Sequence, residues 1–305
     1  MSSFCHASRV KVRWVLSGAL LVAGCSQHDA EVSQASVAQS CADGVTFSFR
    51  PEIEMTTEEQ YLCFAFDVAE LGNVPISGLV WRDPQHGVVL HHATLFATSE
   101  MRPIDVPFDC DPVPADAMPL QVWSPGGSQL ELPAGVGLEL PGDTQRLMIE
   151  AHVRRIEPGP ADEASVEVCR STTPPEKLAG RLGIAVPVPA IRPNMVETAT
   201  ARCRLPEALQ LISAWPHMHQ VGSEFHGALL RGSERLPIVD VGRWDFTHQR
   251  TYDVDIQAEA GDLLETTCVW DNPTSEYVLP GLFTANEMCT FGLIGYPAQA
   301  ARCEP

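Results

Sequence analysis

The amino-acid sequence predicts an all-β fold made of two tandem antiparallel β-sandwich domains of the jelly-roll type. Short apolar runs with strand-like alternation recur about seven times in each half of the chain, whereas long helical patterns are scarce. The 25 prolines and 22 glycines separate these runs with turns. A length of 305 residues suits about two domains of ordinary size. Many short strands separated by turns are typical of β-sandwiches.

The runs that predict strands fall into two sets on either side of a proline-rich segment. In the first half they are Thr46–Arg50, Gln60–Asp67, Val88–Ala97, Gly135–Leu140, Gln145–Val153 and Ala164–Cys169. In the second half they are Leu182–Val188, Leu209–Trp215, Glu224–Leu230, Leu236–Val241, Thr251–Ile256, Leu263–Trp270 and Cys289–Gly295. The segment Ser171–Lys177 contains Pro174-Pro175 and is the best linker. We therefore expect one domain at residues 41–173 and another at residues 174–305.

The first residues resemble an export signal. A basic stretch at residues 9–13 precedes the apolar run Trp14–Val22, which is too short to span a bilayer as a retained helix. Leu21-Val22-Ala23-Gly24-Cys25 follows and resembles a bacterial lipobox, in which cleavage before the cysteine leaves that residue lipidated. The alternative is an ordinary secretory signal with a chance cysteine. We expect residues 1–24 to be a lipoprotein signal peptide and Cys25 to carry lipid.

The residues after Cys25 predict a tether and an address. Residues 25–40 are rich in Ser, Ala, Gln and Val, a composition typical of flexible linkers. Ser26 follows the cysteine, and by resemblance to Gram-negative sorting a residue other than Asp there favours the outer membrane. We expect an exported protein of the cell envelope that meets the membrane through its lipid anchor only.

Charge and cysteine usage narrow the function classes. A formal charge of −19 argues against nucleic-acid binding, which needs basic patches. Eight cysteines lie beyond Cys25, and an even number in an exported chain indicates disulfides. Four precede Pro174-Pro175 and four follow it, so each half could close two bridges of its own. There is no CxxC pair, which argues against a zinc ribbon or a thioredoxin-like motif.

His217-Met218-His219 is the strongest candidate for a metal-binding pair. Residues two apart in a β-strand point to the same face, so both imidazoles can reach one metal. Met218 between them should face the packed side. The distant Met288 offers a thioether, and two imidazoles with a thioether favour copper, especially Cu(I). Taken alone, the pair need not bind metal, and Met288 could simply fill the core.

A second group of histidines, His91-His92 and His152, lies in the first half. Adjacent residues of a regular strand face opposite ways, so His91 and His92 can share a metal only across a bulge or a strong twist. The alternative is one packed and one exposed histidine. His152 lies in an alternating strand and could equally be a satisfied polar residue at a sheet face.

Seven sequence blocks, in order, resemble the copper type II, ascorbate-dependent monooxygenases, the family of peptidylglycine α-hydroxylating monooxygenase and dopamine β-monooxygenase. The resemblance runs from about Cys41 to Cys303. The blocks are Tyr61–Cys63, Leu90–Phe96, Trp123–Gly127 with Leu132–Gly137, Leu147–His152, Pro216–His219, the set Trp244–Phe246, Gln249–Tyr252, Gly261-Asp262 and Thr267–Asn272, and Glu287–Cys289.

The resemblance implies roles for particular residues. His91, His92 and His152 match an electron-transferring copper site. His217, His219 and Met288 match an oxygen-binding copper site. The resemblance therefore implies two coppers per chain. It also implies the disulfides Cys41–Cys169, Cys63–Cys110, Cys203–Cys303 and Cys268–Cys289. The implied activity is hydroxylation of a substrate C–H bond with dioxygen and a one-electron reductant such as ascorbate. The implied partners are a small-molecule substrate, dioxygen and an electron donor.

Departures from the family pattern bear on the substrate. The peptide hydroxylase places Arg, Asn and Tyr where this chain has Trp215, Thr290 and Gly292. A peptide with a C-terminal glycine is therefore not the expected substrate. Two alternatives stay open at this point. One is a copper-binding or copper-delivery lipoprotein that kept the fold and lost turnover, which the complete six-ligand set argues against. The other is a zinc hydrolase, which the methionine and the missing general base argue against.

Overall fold

A computed structural model gives the structure of the protein. It describes residues 40–51, 59–84, 86, 88–104, 106–110, 113–125, 127, 129–155, 161–298 and 302–303. The predicted signal peptide, the lipidation site Cys25 and all but the last residue of the predicted tether lie outside these residues. Among the described residues, no helix has the length and apolar character needed to cross a membrane.

Within the described residues the chain is built almost wholly of β-strands, as predicted. In chain order they are β1 (Gly44–Phe49), β2 (Glu59–Asp67), β3 (Ile76–Arg82), β4 (Val88–Thr98), β5 (Met118–Trp123), β6 (Leu130–Glu131), β7 (Val136–Leu138), β8 (Arg146–Arg155), β9 (Ala164–Arg170), β10 (Lys177–Ala185), β11 (Met195–Arg204), β12 (Leu209–Met218), β13 (Gly222–Arg231), β14 (Glu234–Val241), β15 (Tyr252–Ala258), β16 (Leu263–Asn272), β17 (Cys289–Tyr296) and β18 (Arg302–Cys303). Two short 3₁₀ helices, Val68–Leu71 and Phe246–His248, complete the described elements.

The strands form three sheets, and one of them spans both halves of the chain. A four-stranded sheet has the order β2-β8-β4-β5, and a five-stranded sheet has the order β14-β13-β16-β11-β18. The largest sheet has the order β1-β9-β3-β7-β10-β17-β12-β15, with β6 paired to β3. Its two parts meet where β7 and β10 pair in parallel, from Lys177 opposite Val136 to Ala179 opposite Leu138. Residues 37–305 accordingly form one compact unit.

The core divides into two main clusters that follow the two halves. In β8 the residues Leu147, Ile149, Ala151 and Val153 are fully buried in the first cluster. Because successive strand residues face opposite ways, His152 points to the other face of the same strand. The second cluster lies between the five-stranded sheet and the part of the large sheet made by β10, β17, β12 and β15. The first cluster also takes in Trp215 and Ile294 from the second half, which joins the two cores.

Several strands were not predicted because their sequences lack clear apolar alternation. β3 is buried on both faces over most of its length, so its residues do not alternate. β5 contains a proline, and β11 is largely exposed and polar. β10 begins at Lys177 and ends at Ala185, earlier than the predicted run Leu182–Val188. Its first residues read as a loop because they follow the two prolines.

The structure contains disulfides in both halves. The bridges Cys41–Cys169, Cys63–Cys110 and Cys268–Cys289 are present and are the pairs that the family resemblance implies. Cys203 is also disulfide-bonded. The backbone of β18 places Cys303 directly opposite Cys203 of β11.

Candidate functional site

The strand β12, which carries His217 and ends one residue before His219, has a bulge that sets the face to which His217 points. The register of β12 against β15 and β17 shifts between Leu211 and Ser213. Before the bulge Leu211 faces the second core, and after it Ala214 and Met218 do. His217 therefore points to the opposite face, toward the first half of the chain, while Met218 is buried as expected.

Gln249 holds the His217 imidazole in a defined tautomer. The amide nitrogen of Gln249 donates to the carbonyl of Phe246 at 3.1 Å, which leaves its oxygen for His217. That oxygen lies 2.6 Å from His217 Nδ1 and accepts its proton. The unprotonated Nε2 of His217 then faces Met288 Sδ at 3.1 Å. Donors of one four-coordinate metal lie roughly 3 to 3.5 Å apart, so these two atoms are placed to share an ion.

His219 is oriented by a backbone carbonyl. Its Nδ1 lies 3.1 Å from the oxygen of Asn286, which can only accept, so Nδ1 carries the proton. The Nε2 of His219 is then unprotonated, and its lone pair could bind a metal. The two imidazole rings lie 5.1 Å apart between centroids and are nearly perpendicular, at 84°. Two imidazole nitrogens and one thioether suit a soft ion such as Cu(I).

A buried carboxylate ties the loop after the histidine pair to the segment that carries Met288. Glu287 has no exposed surface. Its Oε2 accepts from the backbone N–H of His219 at 3.0 Å and of Met288 at 3.2 Å, and from Trp270 Nε1 at 3.0 Å. Its Oε1 accepts from the backbone N–H of Val221 at 2.8 Å. One side chain thus fixes the backbone of two candidate ligands, and the Cys268–Cys289 bridge fixes the strand that follows.

Burial keeps the candidate ligands neutral. Desolvation, with the neighbouring His219, lowers the pKa of His217 to about 3, against which the Gln249 hydrogen bond acts. Desolvation also lowers the pKa of His219. Burial raises the pKa of the Glu287 carboxyl, and its hydrogen bonds from His219 and Val221 oppose that rise. Neutral imidazole is the form that binds a metal, so the site is ready to bind at neutral pH.

The second histidine cluster depends on a bulge of the kind that the sequence requires. The register of β4 against β8 shifts between Leu90 and His92, which makes His91 the extra residue. Before the shift Leu90 faces the first core, and after it Ala93 and Leu95 do. Both histidines are thereby kept off the core-facing positions, which a regular strand would not allow.

His152 completes this cluster from the neighbouring strand. It lies opposite His92 in the register of β4 and β8. Its ring centroid is 4.9 Å from that of His91 and 5.2 Å from that of His92. Tyr61 of β2 stacks on His152 at 4.3 Å and 5°, which gives the tyrosine a packing role. All three histidines are buried.

One nitrogen of this cluster is open to a ligand, but the three histidines do not form a ready-made metal site. His92 Nδ1 is buried and has no hydrogen-bond partner in the part of the chain that the structure describes. Desolvation, followed by the charges of His152 and His217, lowers the pKa of His92 well below its ordinary value. Within the described residues, no three His, Cys, Asp or Glu side chains already enclose a point at metal-binding distance.

The segment Asp245–Gln249 lies between the two clusters and touches both. Asp245 caps its 3₁₀ turn by accepting from the N–H of Thr247 at 2.9 Å. The Phe246 ring then lies 6.1 Å from the His92 ring and 6.0 Å from the His219 ring. The same segment supplies Gln249 to His217. The His248 ring lies 6.0 Å from the His91 ring.

A cavity of about 550 Å³ opens beside the His217/Met288 pair, between the two halves of the chain. Trp215 and Gly292 form part of its wall. A Cβ atom added to Gly292 would lie 2.0 Å from Cε2 of Trp215. The tryptophan ring thus occupies the space that a side chain at position 292 would need. Positions 215 and 292, which both differ from the peptide hydroxylase, are therefore sterically coupled in this protein.

The structure brings together the residues that the sequence pattern singled out, and it adds others. His217, His219 and Met288 lie together, as do His91, His92 and His152. The orienting groups are Gln249 and the carbonyl of Asn286. Gln249 is 32 residues from His217 in sequence, so no local pattern could have identified it.

The comparison with known families agrees with this geometry. Residues 163–304 match the model described as the copper type II ascorbate-dependent monooxygenase, C-terminal domain. The matched residues contain β10 to β17 and the His217/His219/Met288 site. Residues 163–304 are thus similar to the C-terminal domain of the copper type II, ascorbate-dependent monooxygenase family.

Proposed function

We propose that the protein hydroxylates a C–H bond of a small-molecule substrate, using dioxygen and a one-electron reductant such as ascorbate. The observation that carries this proposal is the donor set at the cavity wall. His217 Nε2 faces Met288 Sδ at 3.1 Å, and hydrogen bonds on the far side fix both imidazole tautomers. In the overall reaction one oxygen atom enters the C–H bond and the other leaves as water. The reductant supplies two electrons, and two protons are taken up.

The residues of this chain would divide the work as follows. His217, His219 and Met288 would hold a copper ion that supplies oxygen activation, and the thioether would favour its Cu(I) state. Gln249 and Glu287 keep those ligands in place. The cavity wall at Trp215 excludes water and positions the substrate beside the ligands.

The cluster of His91, His92 and His152 would hold a second copper and so supply a second redox centre. Its support is the bulge that presents both adjacent histidines together with the bare Nδ1 of His92. This gives two coppers per chain, one for each half. A protein that only delivers copper would need one such site.

Copper content and oxygen uptake test the proposal together. The full-length protein should bind two coppers and consume oxygen with ascorbate across a substrate panel. Met288→Ile should abolish hydroxylation and weaken one copper, because the thioether is lost while size is nearly kept. Met195→Ile, the same change at an exposed position of β11, is the matched control and should alter neither. Hydroxylation that survives in Met288→Ile would contradict the assignment.

A second variant separates the two sites. His92→Ala should remove one copper and leave the His217/Met288 site loaded. Tight binding of copper without oxygen uptake, in both the parent protein and the Met195→Ile control, would instead favour the copper-binding or copper-delivery lipoprotein.

We also propose that the chain is two domains, 41–173 and 174–305, exported and lipid-anchored through Cys25 at the outer membrane. Disulfides in both halves support export. The separate core clusters support the division, although one sheet is shared. Palmitate labelling in the native host should be lost in Cys25→Ser. Labelling that persists would refute the anchor.

A further inference from the structure

Arg181 lines the same cavity as the candidate ligands, from a different strand. It lies on β10, whose residues Gly183 and Ala185 share its face. Ala185 pairs with Thr290, which in turn pairs with His217. Arg181 is therefore on the same sheet face as His217, roughly 13 Å further along the strand direction. The cavity of about 550 Å³ reaches both residues.

The partners of Arg181 leave its charge unmatched. One Nη donates to the carbonyl of Pro119 at 2.7 Å, and the other contacts the thioether of Met118, a weak acceptor. Among the described residues, none of the ion pairs of this structure involves Arg181. The chain has 39 acidic residues against 20 lysines and arginines, so a cation without an acidic partner is unexpected. Burial alone lowers the pKa of Arg181, to about 10, and the guanidinium still stays charged at neutral pH.

The space between Arg181 and the candidate ligands is open and largely apolar. A Cβ atom added to Gly183 would meet nothing within 4 Å, so the cavity is open directly above this residue. Trp215 forms the neighbouring wall over Gly292. Val113 and Phe96 are among the apolar residues that line the rest. A molecule lying here would meet apolar surface along its length and a cation at one end.

We propose that Arg181 binds the carboxylate of an elongated substrate whose body is apolar and whose reacting C–H bond lies beside His217 and Met288. The proposal rests on the proposed function, since it names the substrate class of that same site. Among the described residues Arg181 has no ion pair, although Glu150 lines the same cavity. A substrate carboxylate would supply an acidic partner through paired charge-assisted hydrogen bonds. The position differs from that of the peptide hydroxylase arginine, where this chain has Trp215.

Binding of decanoate and of the neutral decanamide to the copper-loaded full chain, without reductant, tests this directly. Isothermal titration gives both affinities, and we expect decanoate to bind at least about tenfold more tightly. Arg181→Gln should remove that preference while copper content and the thermal midpoint stay unchanged. Arg235→Gln is the matched control, because this arginine is a half-exposed strand residue paired with Glu265. It should keep the preference.

A second variant keeps the test valid if Arg181→Gln disturbs the fold. Gly183→Leu places a side chain in open space above the sheet and leaves Arg181 intact. It should weaken both probes by similar factors. Equal affinity of the parent protein for the two probes would overturn the proposal. So would a carboxylate preference that survives in Arg181→Gln, because the carboxylate would then be bound elsewhere, for example by the metal.

The outcome is separable from that of the proposed function. A carboxylate preference that depends on Arg181, in a protein that consumes no oxygen, would refute the monooxygenase activity. It would leave the carboxylate-binding role of Arg181 supported. Ascorbate-dependent oxygen uptake with no such preference would refute only the carboxylate-binding role of Arg181.

Discussion

The buried carboxylate of Glu287 should be one of the largest single contributors to the stability of the second half. It accepts four hydrogen bonds, from three backbone N–H groups and from Trp270, and it has no exposed surface. Replacing it with alanine removes the acceptor of all four donors, two of which are buried and two part-buried. Replacing it with glutamine keeps the shape but puts an NH₂ group against at least one donor.

The magnitude follows from those contacts. An unsatisfied buried donor costs about 1–3 kcal/mol, so Glu287→Ala should lose at least about 4 kcal/mol. Glu287→Gln can keep its oxygen toward the three donors on Oε2 and lose the bond to Val221, which predicts about 2 kcal/mol. A typical domain has about 5–15 kcal/mol in total, so the alanine variant should be close to unfolding.

Equilibrium denaturation with the disulfides intact measures both values. Far-UV circular dichroism should follow unfolding, because Trp270 contacts the mutated group and its fluorescence would change for local reasons. Glu276→Ala, at an exposed glutamate, is the control and should lie within about 0.5 kcal/mol of the parent protein. A loss of unfolding free energy below about 1 kcal/mol in Glu287→Ala would refute the reasoning, because four donors that lose their acceptor should cost more than that.

Three other outcomes are expected. Gln249→Leu removes the acceptor for His217 Nδ1 and should weaken Cu(I) binding about 10- to 100-fold in competition with a chelator, and unchanged affinity would contradict the assigned tautomer. Gly292→Val should cost about 1–3 kcal/mol in denaturation, because its Cβ meets Trp215. In a double-variant cycle, Trp215→Ala should recover part of that loss, and strict additivity would count against the contact. Stripping copper should lower stability by about 2.7 kcal/mol for each site, relative to protein with free copper at 100 times the Kd of that site, without changing the far-UV spectrum.

The fold was predictable where one strand face is buried and the other is exposed. β15 alternates between Tyr252, Val254 and Ile256, which pack, and the polar residues between them. Alternation of this kind survives in a single sequence, whereas β3 has both faces buried and gives no such signal. The pairing of β7 with β10, which joins the halves into one sheet, involves only three residue pairs. Nothing in either segment announces that contact.

The site was predictable to the extent that its ligands lie close together in sequence. His217 lies on β12 and His219 directly follows the last residue of that strand, and His91 with His92 required a bulge that the structure contains. The supporting groups could not be found this way. Gln249 reaches His217 only through the tertiary fold. The role proposed for Arg181 depends on which residues surround it in the folded protein, and a single sequence does not give those neighbours.

The position of Phe246 offers a route by which ion binding at one histidine cluster could affect ion binding at the other. Its ring contacts His92 and His152 on one side and His219 on the other. Any shift of this ring that accompanies ion binding at one cluster changes the free energy of binding at the other. Linkage requires the effect to be reciprocal, so each ion alters the affinity for the other by the same factor. If ion binding moves this ring, a binding isotherm fitted with two independent constants would describe neither cluster, and the affinity of each would depend on whether the other is loaded.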